Sequence, residues 1–268
     1  MVLPEAIVDA ACDADLNAVQ QWVQSNDVND RREPLCVEGR SDETLLELVA
    51  GNAETKAHVE LARYLLEQGA DATLSDVFQG DTPLHSALGS SGAFRLEMAS
   101  LLLDAAGVRD HINAYNAFGE TPFYHGMNVF LYSASPGFES ERWDGPLCRR
   151  LIALLLREGA SLDDICEREN DERPLSVEEY VDEIETWYSV PERNVPDFVA
   201  TKELIRDFRA AGSWRAYTKG LRKQVLGLRS LALRGRAGTR DEVMRFIVKS
   251  PNEIAWKILS YWPTELDV

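Results

Sequence analysis

The sequence lacks long hydrophobic runs and has few cysteines. No stretch of about 18 apolar residues occurs, so no membrane-spanning helix is predicted. Only four cysteines occur in 268 residues, and none forms a C-x-x-C pair, which does not fit a disulfide framework or the usual zinc-site spacing. The first fifteen residues carry acids and no base, which argues against a secretory or organellar targeting segment. We therefore expect free thiols in a reducing compartment, the cytoplasm or the nucleus.

The sequence also lacks the motifs of common enzyme chemistry. It has no glycine-rich phosphate loop followed by Lys-Ser/Thr, no H-E-x-x-H and no G-x-S-x-G, and its four histidines are scattered. The paired acids at 163–164 and 178–179 fit solvated faces, although a buried pair of carboxylates in a groove would reopen the question. We expect no catalytic residue, no cofactor and no metal ligand.

Acidic and basic residues are unevenly distributed along the chain. The net charge is −17, yet residues 206–268 hold thirteen Lys/Arg against six Asp/Glu, and residues 212–240 hold eight bases and no acid. The remainder of the chain is strongly acidic and would repel phosphates, so nucleic-acid binding through it is not expected. A protein partner with a basic surface suits this acidic body.

The most informative pattern is an internal repeat. GDTPLHSAL at 80–88 recurs in weaker form as GETPFY at 119–124 and as DETLLELVA at 42–50, at spacings of 39 and 38 residues. Self-similarity with a period of about 20–50 residues indicates stacked units, and T-P-L-H-x-A is the ankyrin motif. The chain resembles the ankyrin-repeat family. The resemblance implies an all-α ankyrin-repeat solenoid of helix-turn-helix units that binds protein partners.

Five units are predicted along the solenoid. Units two to four carry the repeat motif, and the first lacks the Thr-Pro turn, as terminal units often do. The fifth is a degenerate copy that begins near the RPLS stretch at 173–176. The predicted units cover residues 4–31, 42–75, 80–114, 119–164 and 172–212 within a domain of 1–212, and residues 213–268 form a basic C-terminal helical cap.

Several turn residues are predicted to have structural roles. The threonine of each Thr-Pro pair caps the first helix of its unit, and the proline lacks an N–H that would be unpaired there. The family resemblance implies that His85 hydrogen-bonds to the neighbouring turn. In the fourth unit Tyr124 holds the matching position and His125 stands one residue later, which predicts a looser turn. The structural turn residues are Thr82, Pro83, His85, Thr121 and Pro122.

Residues beyond the usual repeat length are predicted to fall in the link between the two helices of a unit. Insertions at equivalent places in a solenoid line up along one edge. Aromatic residues on loops are favoured binding anchors, although these rings could instead fold back over their own helices. The links are predicted at 52–58, 89–96, 128–146 and 186–197, and the partner-binding candidates on the last two are Phe130, Tyr132, Phe138, Trp143, Trp187 and Tyr188.

The segment after residue 212 no longer follows the repeat. Apolar residues with helical spacing extend from 214 to 231, and Gly220 and Gly227 are predicted to divide this stretch into two or three short helices. Another helix is predicted at 241–249.

The last predicted helix resembles the start of an F-box. Ser250 is expected to cap this helix and Pro251 to begin it. The F-box pattern is Leu-Pro-x-Glu followed by Ile-Leu-x-x-Leu; Ser250 replaces the leading leucine, and too few residues follow for a complete F-box. A looser likeness to a SOCS-box covers 225–233, without its expected cysteine. Both resemblances imply an adaptor that brings a substrate to a ubiquitin ligase. The docking-helix candidates are Pro251, Glu253, Ile254, Ile258, Leu259 and Trp262.

Three roles for the C-terminal module stay open. It could only cover the apolar face of the last unit, it could also dock a ligase or another complex, or its bases could contact nucleic acid or anionic lipid. We expect the chain to be a monomeric, non-catalytic scaffold or adaptor that binds a protein through the groove, the turn tips and the links. A ubiquitin-ligase substrate adaptor and a permanent subunit of a larger assembly are the alternatives.

Overall fold

The chain consists of two compact units, Met1–Lys202 and Glu203–Val268. A computed structural model describes residues 2–32, 42–133, 145–163, 165–167, 173–187, 195–236, 238, 240 and 242–261. The sequence predicts the boundary at residue 212. The two compact units divide between Lys202 and Glu203, inside a helix, and the domain boundary at 212 stays a prediction.

The described residues contain five consecutive helical pairs, four of them within unit 1, and the last helix of the fifth pair continues into unit 2. Strands β1 (Val2–Leu3) and β2 (Arg31–Arg32) form one short parallel pair, and a 3-10 helix spans Val108–His111. The helical pairs are α1 (Glu5–Cys12) with α2 (Leu16–Val23), α3 (Leu45–Gly51) with α4 (Lys56–Glu67), α5 (Pro83–Gly89) with α6 (Arg95–Leu103), α7 (Pro122–Ser133) with α8 (Gly145–Glu158), and α9 (Val177–Trp187) with α10 (Val195–Ala211).

The helical pairs stack in register. The first helices α1, α3, α5 and α7 pack one against the next, and the second helices α4, α6 and α8 form a parallel series. Leucines and alanines at helical spacing fill the space between the two rows, with Leu65, Leu88 and Leu102 fully buried. Each pair therefore buries the apolar face of its neighbour, which is the basis of stability in a solenoid.

The second and third links are shorter than predicted. Helix α4 begins at Lys56 and helix α6 at Arg95, so the links span Asn52–Thr55 and Ser90–Phe94. Thr55 shortens the second link because its side chain forms a capping box with His58 at the start of α4. Residues 134–144 and 188–194 of the two later links lie outside the described residues.

Unit 2 contains helices α11 (Trp214–Leu233), α12 (Glu242–Lys249) and α13 (Asn252–Tyr261). The prediction that Gly220 and Gly227 break the first of these into short helices is wrong, because α11 is continuous over 20 residues. A glycine inside a helix costs about 1 kcal/mol relative to alanine. Two interior glycines therefore weaken the helix without interrupting it. In the part of the chain that the structure describes, no helix has the length and apolar character needed to cross a bilayer.

A buried arginine joins the three helices of unit 2. Arg229 of α11 donates to the carbonyl oxygens of Ile247 and Ser250 and to the side chain of Asn252. Arg229 thereby pairs with carbonyl groups at the C-terminal end of α12, which have no partner within the helix, and it binds the first residue of α13. The Ser250 hydroxyl donates to the Phe246 carbonyl at 2.7 Å, and its capping of α13 stays a prediction.

Candidate protein-binding surface

The third turn, residues 76–81, is a closed backbone loop organised by one carboxylate. Asp76 N–H donates to the Asp81 carbonyl at 2.9 Å. The Asp76 carboxylate accepts from the backbone N–H groups of Phe78, Gln79 and Asp81 at 2.6–3.0 Å. An aspartate that satisfies three backbone donors fixes the conformation of such a turn.

In the fourth turn, residues 116–120, a side-chain oxygen again accepts from backbone N–H groups, but it belongs to the amide of Asn116 and not to a carboxylate. Asn116 Oδ1 accepts from the N–H groups of Phe118 and Glu120, each at 2.9 Å. The Asn116 amide donates to Asp81 at 2.8 Å, and Ala117 N–H donates to the Gln79 carbonyl at 2.7 Å. The two turns are therefore joined both through backbone and through side chains.

The approach of the two turns requires glycine at position 80. Gly80 has a φ of +70°, and an added Cβ would lie 2.7 Å from the Ala117 nitrogen. Only a residue without a side chain accepts both this left-handed conformation and this contact. The GDTP stretch of the repeat thus encodes the turn as well as the helix that follows it.

His85 makes the hydrogen bonds that the family resemblance implies. Its Nδ1 accepts from Thr82 N–H at 3.1 Å and lies 2.9 Å from the Thr82 hydroxyl, and its Nε2 donates to the Glu120 carbonyl at 3.2 Å. Burial lowers the pKa of His85 to about 3, with a smaller contribution from His125. The imidazole is therefore neutral at physiological pH and joins two turns through both nitrogens.

The fourth turn is tied to the next unit, and its looseness relative to the third stays a prediction. The Thr121 N–H and hydroxyl both donate to the Ile165 carbonyl, at 3.0 and 3.1 Å, which ties this turn to the next unit. Tyr124 packs against Tyr180 with ring centroids 4.7 Å apart. His125 lies 3.0 Å from the Glu120 carboxylate, so the displaced histidine still braces the turn.

Sequence reasoning missed a second structural histidine, His58. Its Nδ1 accepts from Thr55 N–H, and its Nε2 lies 2.9 Å from the Cys12 carbonyl. The spacing Thr55-x-x-His58 equals the spacing Thr82-x-x-His85, and this pattern could have identified it. It was overlooked because it starts the second helix of its unit instead of the first.

Large apolar side chains are exposed at the third and fourth turns. Val77, Phe78 and Phe118 are 73%, 58% and 63% exposed, and Tyr115 is also exposed. We call these four residues the turn-tip patch. The backbone beneath the patch is fixed by the hydrogen bonds described above, so little entropy would be lost when a partner binds. Exposed aromatic side chains on a rigid support are typical of interface anchors.

The two segments that carry the turn-tip patch contain acids and no base, and Arg31 donates to the Ser75 carbonyl at 2.8 Å. Residues 75–82 and 114–121 contain Asp76, Asp81 and Glu120 and no lysine or arginine. Burial raises the pKa of Asp81, and His125 and Asn116 oppose that shift.

The predicted aromatic anchors on the later links are not described closely enough to test. Phe130 and Tyr132 belong to α7 and Trp187 ends α9, but their side chains lie outside the described part of the chain. Phe138, Trp143 and Tyr188 lie outside the described residues altogether. Their role as binding residues stays a prediction, and the turn-tip patch was not among the predicted site residues.

The predicted docking helix exists as α13, one residue later than expected. Pro251 precedes it, and Glu253 and Ile254 in its first turn are exposed. The side chains of Ile258 and Leu259, and the whole of Trp262, lie outside the described part of the chain. The docking function of this helix stays a prediction.

The described residues hold no cluster of three or more His, Cys, Asp or Glu side chains that could bind a metal ion. Among the described residues, Cys12, Cys148 and Cys166 form no disulfide. The polar side chains Asp76 and Asn116 form structural hydrogen bonds within the turns. The side chains that the turns expose to solvent are those of the turn-tip patch.

Comparison with known proteins agrees with the stacked helical pairs. No curated protein matches the chain. Residues 52–103, from the second link to the end of α6, match the family model for ankyrin repeats (many copies). That family generally serves as a protein–protein interaction module. The repeat motif, the stacked helical pairs and this match agree that residues 52–103 are similar to ankyrin repeats.

Proposed function

We propose that this protein is a non-catalytic scaffold or adaptor that binds a basic protein partner through the turn-tip patch. The observation that carries the proposal is the exposure of Val77, Phe78 and Phe118 on two turns whose backbones are hydrogen-bonded to each other. Exposed rings of this size are rarely left on a rigid surface without a partner.

The acidic surroundings of the patch determine the expected kind of partner. A segment that offers apolar side chains beside lysine or arginine would bury the two phenylalanines and place its charges near Asp81 and Glu120. Such charges accelerate association at low ionic strength and contribute less once salt screens them. The partner should therefore associate more slowly as salt is raised.

Substitution of the patch phenylalanines tests this proposal. The variant Phe78→Ser/Phe118→Ser should lose about 10–100-fold in affinity for the partner, because two anchor rings contribute most of the binding energy of a small interface. Its melting temperature should stay nearly unchanged, since both rings are already in solvent. The measurement is quantitative affinity purification with the full chain, followed by titration of the recovered partner.

A matched control separates this surface from general stickiness. Phe246 in unit 2 is exposed to a similar degree, and Phe246→Ser should leave recovery of the same partner unchanged. Equal recovery with the wild type and the patch variant would rule the patch out as the binding surface.

The links remain a second predicted contact region. Replacing Trp143 and Trp187 by Ala should weaken partner binding by about tenfold and leave the melting temperature nearly unchanged if both rings anchor a partner. The check is the same titration combined with thermal unfolding. A large fall in melting temperature would instead assign the two rings to packing over their own helices.

The narrower roles are distinguished by what is recovered with the protein. Ubiquitin-ligase components would support the substrate adaptor with α13 as its docking element. A single stoichiometric complex would support a structural subunit of a larger assembly. Removal of the chain from Ser250 onward should abolish the ligase contact in the first case, and thermal unfolding of the truncated chain checks whether unit 2 stays folded without the Arg229 partners Ser250 and Asn252.

A further inference from the structure

Helix α6 begins with an arginine that is buried beside a cysteine. Arg95 is 4% exposed, and its guanidinium group stays protonated at physiological pH. Among the described residues its nitrogens donate to the Ser90 carbonyl at 3.2 Å and to the Cys148 sulfur at 2.9 Å. A buried cation is strongly destabilising unless an anion compensates its charge.

The helices around Arg95 offer no carboxylate as that anion. In their described sequences, α6, α7 and α8 contain two acids, Glu97 and Glu158. Glu97 is exposed. Glu158 lies at the other end of α8, where its carboxylate pairs with Arg109 and Arg157. The acceptor beside Arg95 that can become an anion is therefore the Cys148 sulfur.

Two features favour the thiolate form of Cys148. The residue is 3% exposed and lies in the first turn of the 14-residue helix α8, whose N-terminal end carries partial positive charge. The guanidinium group of Arg95 is the second feature, since a neighbouring cation stabilises a thiolate. Burial opposes an isolated thiolate, but it equally opposes an unpaired guanidinium, and ionisation of the thiol would give each buried charge a partner.

The unused nitrogen of Arg95 indicates what else this site can hold. Nε is buried and has no hydrogen-bond partner among the described residues. The Nε and Nη2 groups form one edge of the planar guanidinium and point their hydrogens in the same direction, which is the arrangement that binds two oxygens of a carboxylate or phosphate. Sγ occupies the Nη2 position of this edge. An oxygen attached to Sγ would occupy the Nε position.

We propose that Cys148 is a thiolate in the folded protein and is oxidised by hydrogen peroxide to a sulfenate that Arg95 binds. Sγ forms a bond to one peroxide oxygen, and the O–O bond breaks. The other oxygen leaves as hydroxide, takes the proton of the new sulfenic acid and becomes water. The sulfur thus loses two electrons to the peroxide. This site does not depend on the function proposed for the turn-tip patch.

Burial selects the reagent that reaches Cys148. The preceding residues approach solvent, since Pro146 is exposed and Leu147 is half-buried. Brief opening of the first turn of α8 admits a molecule of the size of hydrogen peroxide. A bulky maleimide should therefore label Cys148 only after unfolding.

The test measures oxidation of each cysteine in the full chain. The protein is exposed to hydrogen peroxide, quenched with catalase and denatured with a cyclic dione that labels sulfenic acid, and labelled peptides are quantified by mass spectrometry. Cys12 is the internal control: it is more exposed than Cys148, but burial raises the pKa of its thiol and Glu43 adds to the shift. Cys148 should be labelled at least about tenfold faster, because the thiolate is the reactive form.

Variants of Arg95 separate its charge from its packing. Arg95→Met keeps most of the side-chain length without the charge, and it should slow oxidation of Cys148 about tenfold or more. Arg95→Lys should retain most of the wild-type rate, because an ammonium group also favours the thiolate. The matched control is Arg157→Met on α8, which should leave the rate unchanged.

Thermal unfolding gives a second readout that does not require oxidation. Cys148→Ala removes the anion and leaves the buried guanidinium unpaired, so it should lower the melting temperature by about 10 °C. The double variant Arg95→Met/Cys148→Ala removes both charges and should recover most of that loss.

Three results would overturn the proposal. The first is labelling of Cys148 no faster than that of Cys12. The second is an equal rate in Arg95→Met and in the wild type. The third is a melting temperature of Cys148→Ala equal to that of the wild type, which would show that Arg95 needs no anion at this position. The third measurement decides the question even if the Arg95 variants do not fold.

Discussion

Replacing Gly119 by Ala should destabilise unit 1 by about 3–4 kcal/mol. Gly119 has a φ of +72°, and an added Cβ would lie 2.5 Å from the Glu167 carbonyl oxygen. Glu167 N–H donates to the Gly119 carbonyl at 2.6 Å, and this bond must open to relieve the contact. The substitution therefore strains the backbone at position 119 and also separates the fourth turn from the segment 165–167 that pairs with it. Urea denaturation followed by circular dichroism measures the loss.

Gly69→Ala is the matched control for this substitution. Gly69 also has a positive φ, +92°, but an added Cβ there would meet nothing within 4 Å. Only the conformational strain applies, so the loss should be about 1–2 kcal/mol. The difference between the two variants reports the contact between turns. Equal losses would show that the contact between Gly119 and Glu167 opens without a cost in stability.

The turn chemistry of the third unit could be predicted from sequence because it depends on residues close together in the chain. Thr82 and Pro83 define the start of α5, and His85 is three residues from the threonine that it contacts. The partner of its other nitrogen, the Glu120 carbonyl, is 35 residues away. That contact was accessible only through the family resemblance, which supplies the register between neighbouring turns.

The turn-tip patch could not be predicted in the same way. Phe78 and Phe118 are hydrophobic residues next to a repeat motif, and composition alone would assign such residues to the core. Their exposure follows from the geometry of the closed turns, in which the Asp76 and Asn116 side chains occupy the inside. The aromatic residues on the longer links could be selected from the sequence because the sequence shows the length of a loop. It does not show the geometry of a turn.

Unit 2 shows the opposite failure. Gly220 and Gly227 were interpreted as breaks because glycine weakens helices, yet α11 runs through both. The bonds of Arg229 to Ile247 and Ser250 hold α12 and α13 against this helix. These two hydrogen bonds join residues 18 and 21 positions apart in the chain, and no local sequence pattern predicts them.

Replacing Glu47 by Gln should stabilise unit 1 by about 2 kcal/mol at pH 7. Glu47 lies on α3 and is almost fully buried, with the Ser86 hydroxyl of α5 at 3.4 Å from its carboxyl group. Burial raises its pKa to about 9, and the nearby carboxylates of Asp76, Glu43 and Asp81 add to the shift. The folded protein must therefore hold this carboxyl group as the neutral acid. Glutamine keeps the shape and removes the need to retain a proton.

The dependence on pH distinguishes this mechanism from a change in packing. The unfolded chain loses the Glu47 proton near its ordinary pKa of 4.5, whereas the folded chain keeps it until about pH 9. Unfolding therefore releases a proton between these values, and stability falls with rising pH by at most about 1.4 kcal/mol per unit. Glu47→Gln should remove that slope, so the gain over wild type should be small near pH 5 and large near pH 8. The exposed Glu97 of α6 provides the control, since Glu97→Gln should leave the slope unchanged. A gain from Glu47→Gln that is constant from pH 5 to pH 8 would mean that the buried carboxyl group is not the source of the cost.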